Sequence, residues 1–191
     1  MNGDPQSNRP GRIVLLNGVG SVGKTSIAKC LQSITVDPYL HVQMDAFMEM
    51  LPDNYQNHPD GFFYQTGDSQ GNPIVVVTTG AIGERALRGM RHAIVAMALQ
   101  GNNLIVDDVL LGNEKKEYAQ LLSDLEAYFV GLFAPLEILE AREQARGDRL
   151  IGLARWEYEK VHEGMRYDLE IDTSSATPLE CARLISKKFQ L

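Results

Sequence analysis

The sequence predicts an α/β fold in which a parallel sheet is covered by helices on both faces. Short apolar runs of strand length alternate along the chain with segments of helical periodicity, and a glycine-rich turn joins the first run to the first helix. Such alternation is typical of parallel sheets, because parallel strands need crossover connections that helices supply. With 191 residues, 44% of them hydrophobic, the chain is long enough for one compact domain and short for two.

The individual elements are read from these patterns in chain order. Strands are predicted at residues 13–16, 41–44, 103–106, 128–133 and 169–171. Helices are predicted at residues 24–32, 84–100, 114–123, 136–146, 150–162 and 178–189. In the helix at 84–100 the apolar residues recur at i, i+4, i+7 and i+8, whereas charged residues such as Arg88 and Arg91 occupy the opposite face.

Two segments depart from the alternation. Residues 1–11 hold two prolines, two glycines and almost nothing apolar, so we expect a flexible tail before a single domain at 12–191. Residues 46–83 do not follow the alternation of strand and helix patterns, which predicts an insertion. Within it, two β-prone runs flank residues 67–72, which indicates a hairpin with a long turn.

Composition restricts the partners and the cell compartment. The formal net charge of −7 disfavours binding to nucleic acid or to an anionic membrane through a basic surface. No apolar run approaches the roughly 20 residues that cross a bilayer, and the first residues show no targeting pattern. Cys30 and Cys181 are too few for a disulfide framework. We therefore expect a soluble cytoplasmic protein with reduced thiols, and the sequence does not indicate its oligomeric state.

The strongest motif has the form G-x-x-x-x-G-K-[ST], and it stands between the first strand and the first helix. In this motif backbone N–H groups wrap phosphate oxygens, the lysine reaches the β- and γ-phosphates, and the hydroxyl can ligate Mg²⁺. The alternative is a glycine-rich turn with a surface lysine. The motif predicts that ATP and Mg²⁺ bind at Gly18, Val19, Gly20, Ser21, Val22, Gly23, Lys24, Thr25 and Ser26.

Acidic residues end two of the predicted strands. Asp107 and Asp108 follow the apolar run at 103–106, where a carboxylate can hold Mg²⁺ beside a phosphate loop, although an acidic cap on a strand is also common. The pattern does not say which of the two faces the metal. Asp45 follows the second strand and can accept a proton from a substrate hydroxyl, or it can instead cap a helix at 46–51.

An arginine-rich segment at about 142–163 contains Arg142, Arg146 and Arg149. Guanidinium groups there can close over ATP and neutralise charge on the phosphoryl group, which predicts a lid; a solvated basic helix face is the alternative. Residues 172–178 can border the nucleotide base or form an ordinary helix cap. Apolar residues in and before the insertion can line an acceptor pocket or pack in the core, namely Met44, Phe47, Met48, Met50, Phe62, Phe63 and Tyr64.

Other nucleotide-binding classes lack support. The guanine-reading Asn-Lys-x-Asp of GTPases is absent, and so are the His-Arg-Asp and Asp-Phe-Gly signatures of protein kinases. A small-molecule kinase and a nucleotide-binding module without transferase activity remain. The insertion and the predicted lid favour the kinase, because a transferase needs an acceptor site and must exclude water.

Six ordered segments resemble the chloramphenicol phosphotransferase family, over almost the whole chain from residue 12 to residue 189. They read LLNGVGSVGKTSIAKCLQ, VQMDAF, NNLIVDDVLL, AREQARGDRLIGLA, VHEGMRYDLEIDTS and TPLECA. The resemblance implies a P-loop fold like that of nucleoside-monophosphate kinases and ATP-dependent phosphorylation of the antibiotic's primary hydroxyl. It implies that Asp45 is the base, that Lys24 and Thr25 serve phosphate and Mg²⁺, and that Arg146 and Arg149 belong to the lid.

The resemblance fails in part where the acceptor is chosen. Residues 51–83 do not match the family pattern, and Gly20 and Val22 stand where family members are richer in serine and alanine. We therefore expect a Mg-ATP-dependent kinase that acts on a small-molecule hydroxyl, with chloramphenicol or a similar compound as the first candidate. A kinase of another metabolite hydroxyl and an ATP-binding regulatory module are the alternatives.

Overall fold

A five-stranded parallel sheet forms the centre of the protein. The computed structural model describes residues 9–147 and 150–191. Within them the sheet has the strand order β2-β5-β1-β6-β7, and every neighbouring pair is parallel. Its strands are β1 (Ile13–Asn17), β2 (Tyr39–Gln43), β5 (Asn103–Asp108), β6 (Ala127–Phe133) and β7 (Leu169–Asp172). The predicted parallel sheet is confirmed.

Helices cover both faces of this sheet, as the alternation predicted. They are α1 (Lys24–Ile34), α2 (Met44–Glu49), α3 (Ala81–Leu99), α4 (Glu114–Leu121), α5 (Leu136–Arg146), α6 (Leu153–Glu157) and α7 (Pro178–Phe189). Side chains alternate between the two faces of a strand, so Val14 and Leu16 of β1 pack with α1 and α7. Ile13 and Leu15 pack on the other side with α3 and α4. Burial on both faces explains why β1 is an uninterrupted apolar run.

The predicted hairpin lies between β2 and α3, but its turn is short. The antiparallel strands β3 (Phe62–Ser69) and β4 (Asn72–Thr79) pair from Phe62 opposite Thr79 to Ser69 opposite Asn72. Only Gln70 and Gly71 remain for the turn, with φ of 56° and 82°. Positive φ angles at both central residues are typical of two-residue hairpin turns, because the twist of such a turn matches the twist of the two flanking strands. The six-residue turn predicted at 67–72 is therefore wrong, because the polar residues on each side of the turn continue the strands.

The segment after α5 is less helical than the sequence suggested. The predicted helix at 150–162 is reduced to α6, and turns follow it up to residue 164. Gly152 precedes α6 with a φ of 102°, and its amide and that of Ala154 donate hydrogen bonds to the buried Glu143 carboxylate at 2.7 and 2.9 Å. The Val75 amide of β4 donates to the Gly152 carbonyl oxygen at 3.1 Å. These bonds hold the start of α6 against both α5 and the hairpin.

The boundary between the predicted tail and the domain differs by one residue. Gly11 is buried, its amide donates to the Ala98 carbonyl oxygen at 2.7 Å, and a Cβ there would lie 2.0 Å from the Asn102 carbonyl oxygen. Gly11 therefore belongs to the packed structure. Residues 1–8 of the predicted tail lie outside the described residues. No helix in the described ranges is both long enough and apolar enough to cross a membrane.

Candidate active site

The glycine-rich loop connects the carboxyl end of β1 to the first turn of α1. Gly23, directly before the helix, has a φ of 104°, and Ser21 has a φ of 66°. Glycine adopts this left-handed region without the steric penalty that a Cβ brings, so the loop can turn its backbone toward the helix N-terminus. The loop and the first residues of α1 line a cleft of about 1040 Å³. The sequence motif therefore has the strand, loop and helix context that phosphate binding requires.

Asn17 fixes the start of this loop. Its buried side-chain amide donates to the Val161 carbonyl oxygen at 2.9 Å and to the Tyr167 hydroxyl at 2.7 Å. Its side-chain oxygen accepts from the Leu110 amide at 2.9 Å. One residue thus ties the end of β1 to the segment after β5 and to the segment before β7. A buried amide with all these partners satisfied is a rigid support for the loop that follows it.

Lys24 and Thr25 both face the end of β5. The Lys24 ammonium donates to the carbonyl oxygens of Gly18 and Val19 at 2.8 and 3.3 Å and lies 4.0 Å from the Asp107 carboxylate. The Thr25 hydroxyl donates to Asp107 Oδ2 at 2.6 Å. Burial raises the pKa of Asp107, but the His41 ring, the Lys24 charge and the Thr25 hydroxyl outweigh burial, so this pKa lies below its ordinary value. Asp107 is therefore an anion beside the phosphate loop.

Asp108 has a different environment, although it follows directly. It is buried, and its carboxylate accepts from the Tyr118 hydroxyl at 2.7 Å and from the Val109 amide at 2.8 Å. Burial raises the pKa of Asp108 to about 6, and these two hydrogen bonds only partly offset the effect. Burial also raises the pKa of the Tyr118 hydroxyl. Since neighbouring strand residues point to opposite faces, only Asp107 is aimed at Lys24 and Thr25.

Asp45 lies in the first turn of α2, and it lines the same cleft. The helix begins at Met44, and Gln43 is its N-cap residue. Asp45 is therefore inside the helix rather than at its cap, which makes the capping alternative wrong. Its side chain is exposed. Asp45 follows the carboxyl end of β2, which lies beside the carboxyl end of β5 at the same edge of the sheet.

Two described arginines of the arginine-rich segment line the cleft. Arg142 donates to the Thr173 carbonyl oxygen at 2.7 Å and to the Thr173 hydroxyl at 3.2 Å, which joins α5 to the loop after β7. Arg146, at the end of α5, is exposed and lines the cleft. Arg149, the other predicted lid arginine, lies outside the described residues. Ala176 and Pro178 line the cleft next to Arg142, where the sequence placed a border for the nucleotide base.

The predicted acceptor residues divide between the cleft and the core. Met44, Met48, Phe62 and Tyr64 line the cleft. Phe47 packs instead with the core between the sheet, α3 and α4, and Met50 is 72% exposed. The wall is not wholly apolar, since Thr79 and three charged side chains also line the cleft on this side, namely Glu49, Glu84 and Arg91.

Two buried charged residues of the site were not predicted. Arg91 was expected on the polar face of α3, but it is buried, with Nε 2.6 Å from the Glu117 carboxylate of α4. Glu157, the last residue of α6, is buried, and its carboxylate accepts a hydrogen bond from the Gly20 amide at 2.6 Å. Periodicity could have placed Arg91 near the edge of the apolar face of α3. No local pattern indicates Glu157, because its partner is 137 residues away.

No group of three or more His, Cys, Asp or Glu side chains in the described ranges could hold a metal ion by itself. The donors that stand together at the phosphate loop are the Thr25 hydroxyl and the Asp107 carboxylate. These are the oxygen donors that Mg²⁺ prefers, and they suit a metal whose remaining positions are filled by phosphate oxygens and water.

Comparisons with known proteins identify the family of the chain. The model of the family described as chloramphenicol phosphotransferase-like proteins matches residues 11–190. Two provisionally named O-phosphotransferases, from two strains of Mycobacterium tuberculosis, are each 30% identical to the chain over 186 residues, which is 94% of this chain and 83% of the relative.

Solved structures with a similar fold include three with different described activities. An APS kinase of M. tuberculosis, in complex with AMPPNP and APS, has a TM-score of 0.66 at 17% identity and covers 96% of this chain and 99% of its own. A sugar kinase of a Janibacter species has a TM-score of 0.65 at 20% identity, with 95% of each chain covered. The tunicamycin resistance protein of Deinococcus radiodurans has a TM-score of 0.62 at 18% identity and covers 95% of this chain and 96% of its own.

These structural matches show that the fold is that of P-loop kinases, as predicted. The family model extends over nearly the whole chain, including the glycine-rich loop, Asp45 and both strand-end aspartates. The chain therefore belongs to the chloramphenicol phosphotransferase-like family of ATP-dependent kinases.

Proposed function

We propose that this protein transfers the γ-phosphoryl group of Mg-ATP to a hydroxyl of a small molecule, with chloramphenicol or a similar alcohol as the first candidate acceptor. One observation carries the proposal: a single cleft is lined by the phosphate loop, by Asp107 and by Asp45, with apolar side chains next to Asp45. A nucleotide and an acceptor can therefore meet inside it.

In the nucleotide half of the cleft, the loop and Arg142 have distinct proposed roles. Backbone amides of the loop and the N-terminus of α1 bind the phosphates, and Lys24 exchanges its contacts with the loop carbonyl oxygens for contacts with the β- and γ-phosphates. Thr25 and Asp107 would hold Mg²⁺, which would neutralise charge on the phosphates. Arg142 and the loop after β7 border the base.

In the acceptor half of the cleft, Asp45 is the proposed general base. Its carboxylate takes the proton of the acceptor hydroxyl while that oxygen attacks the γ-phosphorus, and ADP leaves. Arg146, and Arg149 of the predicted lid, stabilise the charge that spreads over the transferred group. Met44, Met48 and Phe62 surround the apolar part of the acceptor and exclude water.

A kinase of a more polar hydroxyl compound is the second candidate. Glu49, Glu84 and Arg91 line the acceptor side of the cleft and could pair with further polar groups of such a compound. The hairpin that forms part of this wall lies where the sequence departs from the family pattern. This candidate keeps the same base, the same nucleotide site and the same reaction.

Mass spectrometry of a reaction with Mg-ATP and chloramphenicol tests the acceptor. We expect a product that carries one additional phosphoryl group, formed by the wild-type protein and absent from a parallel reaction with Lys24→Ala. No product at millimolar drug, together with rapid phosphorylation of a sugar or nucleoside, would reject chloramphenicol and establish the second candidate. That outcome would leave the nucleotide site intact.

A further inference from the structure

The phosphate loop is in contact with a carboxylate of the protein itself. The Gly20 amide donates to Glu157 Oε2 at 2.6 Å, and the Glu157 side chain is buried, with only 5% of the residue exposed. A Cβ added at Gly20 would lie 3.3 Å from the same oxygen. An anionic oxygen therefore approaches the loop backbone closely, at an amide of the segment that binds phosphate in the proposed function.

Other groups of the nucleotide site are also engaged with the protein. Lys24 Nζ bonds to the carbonyl oxygens of Gly18 and Val19, and the Thr25 hydroxyl bonds to Asp107. The Lys24 contacts use N–H donors that would otherwise serve a phosphate. In the nucleotide-free protein these donors therefore have partners within the protein, and Glu157 of α6 supplies the negative charge at the Gly20 amide.

We propose that the Glu157 carboxylate is a built-in competitor for the phosphate loop, which ATP must displace in order to bind. The inference rests on the proposed nucleotide site and adds a residue that lowers its affinity. A carboxylate and a phosphate oxygen carry charge of the same sign, so they repel each other at one amide. The backbone donor can satisfy one of them, and the other must withdraw.

Displacement of Glu157 acts on a helix that is fixed at its other end. Gly152, just before α6, is tied to Val75 of the hairpin at 3.1 Å and to Glu143 of α5 at 2.7 Å. Because the hairpin forms part of the acceptor wall, α6 physically joins the phosphate loop to that wall.

The variant Glu157→Gln tests the competition directly. A glutamine oxygen can still accept from the Gly20 amide, but the negative charge is gone, so phosphate competes with a weaker ligand. We expect ADP and AMPPNP to bind the purified full chain about tenfold more tightly by isothermal titration calorimetry. Glu159→Gln is the matched control, since Glu159 is an exposed neighbour and the substitution changes net charge equally. We expect its nucleotide affinity to equal that of the wild type.

The Gly20 amide gives a second measurement that does not depend on a variant at Glu157. In ¹H–¹⁵N spectra of the wild-type protein, we expect this resonance to shift when AMPPNP is added, because the amide then loses its hydrogen bond to the Glu157 carboxylate. If Glu157→Gln does not fold, Glu157→Asp replaces it. Its shorter side chain withdraws the carboxylate from the amide, and tighter nucleotide binding is again expected.

Three results would overturn the inference. Unchanged or weaker nucleotide binding in Glu157→Gln would mean that Glu157 is a structural tie that stays in place in the complex. Equal tightening in Glu159→Gln would mean that only net charge matters. An unshifted Gly20 resonance would mean that the contact survives nucleotide binding. If the wild type binds no nucleotide and Lys24→Ala makes no difference, the proposed function itself fails, and that outcome is distinguishable from these three.

Discussion

Neighbouring aspartates at the end of β5 have opposite predicted roles, and a matched pair of variants separates them. Asp107 contacts Thr25 and lies 4.0 Å from Lys24, whereas the Asp108 carboxylate accepts from the Tyr118 hydroxyl and the Val109 amide. Asp107→Asn removes the charged oxygen assigned to Mg²⁺. We expect kcat to fall by about 10²-fold or more, because a metal contributes several kcal/mol of charge stabilisation in the transition state. Asp108→Asn changes no contact of the reacting groups, so we expect kcat to stay within about threefold.

The raised pKa of Asp108 also makes the stability of the protein depend on pH. Burial raises the pKa of Asp108 from 3.8 to about 6, so the folded state binds this proton more tightly than the unfolded state does. The stabilising contribution is present below about pH 4 and is lost as the pH rises through about 6. At 1.36 kcal/mol for each pH unit, the upper limit of this loss is about 3 kcal/mol. Asparagine has no charge to bury, so Asp108→Asn is expected to be more stable than the wild type at pH 8, with a difference that vanishes near pH 4.

Urea denaturation at pH 4, 6 and 8, followed by far-ultraviolet circular dichroism, measures this difference in the free energy of unfolding. Steady-state kinetics at saturating Mg-ATP supplies the comparison of kcat. A pH-independent stability difference would refute the assignment of the raised pKa. A loss of kcat in Asp108→Asn as large as that in Asp107→Asn would refute the assignment of the metal to Asp107 alone.

Four further substitutions test other parts of the structure. Lys24→Ala should abolish transfer with little change in the urea midpoint, since the ammonium contacts loop carbonyl oxygens rather than the core; full activity in this variant would reject the nucleotide site. Asp45→Asn should retain ATP binding by calorimetry while the rate of acceptor phosphorylation falls by about 10²–10⁴-fold, and wild-type turnover would exclude a base at this position. Arg146→Ala should lower kcat more than nucleotide affinity. A loss of nucleotide affinity at constant kcat would mean that Arg146 only binds the ground-state nucleotide. Gly152→Ala should lower the free energy of unfolding by about 2 kcal/mol or more, because its φ is 102° and its Cβ would lie 2.5 Å from the Pro73 carbonyl oxygen; an unchanged urea midpoint would contradict this.

Local patterns in the sequence were enough for the fold and for the nucleotide loop. The buried strand β1 is apolar on both faces, and the glycine-rich motif that follows it needs a particular strand-loop-helix context, so each observation supports the other. Asp45 and the pair Asp107 and Asp108 were candidates because the carboxyl ends of parallel strands converge. These inferences depend on order along the chain and on the general geometry of parallel sheets.

Contacts between distant segments could not be predicted in this way. The sequence does not distinguish Asp107 from Asp108. They differ in the face of β5 from which each side chain points, so that Asp107 contacts Thr25 and Asp108 contacts Tyr118. Arg91 was placed on a polar helix face because its partner, Glu117, lies on another helix. Glu157 approaches the loop only because bonds at Gly152 hold the start of α6.

Acceptor-dependent ATP turnover is the measurement that tests the central claim most directly. Purified full-length protein is incubated with Mg-ATP, with and without a panel of hydroxylated antibiotics and metabolites, and the ADP and the phosphorylated product are both quantified. A phosphotransferase with this site should form ADP faster when its acceptor is present, with one phosphorylated product for each additional ADP, and Lys24→Ala should eliminate both. ADP formation at the same rate with and without every compound, and with no phosphorylated product, would contradict the claim and favour a nucleotide-binding module that transfers nothing.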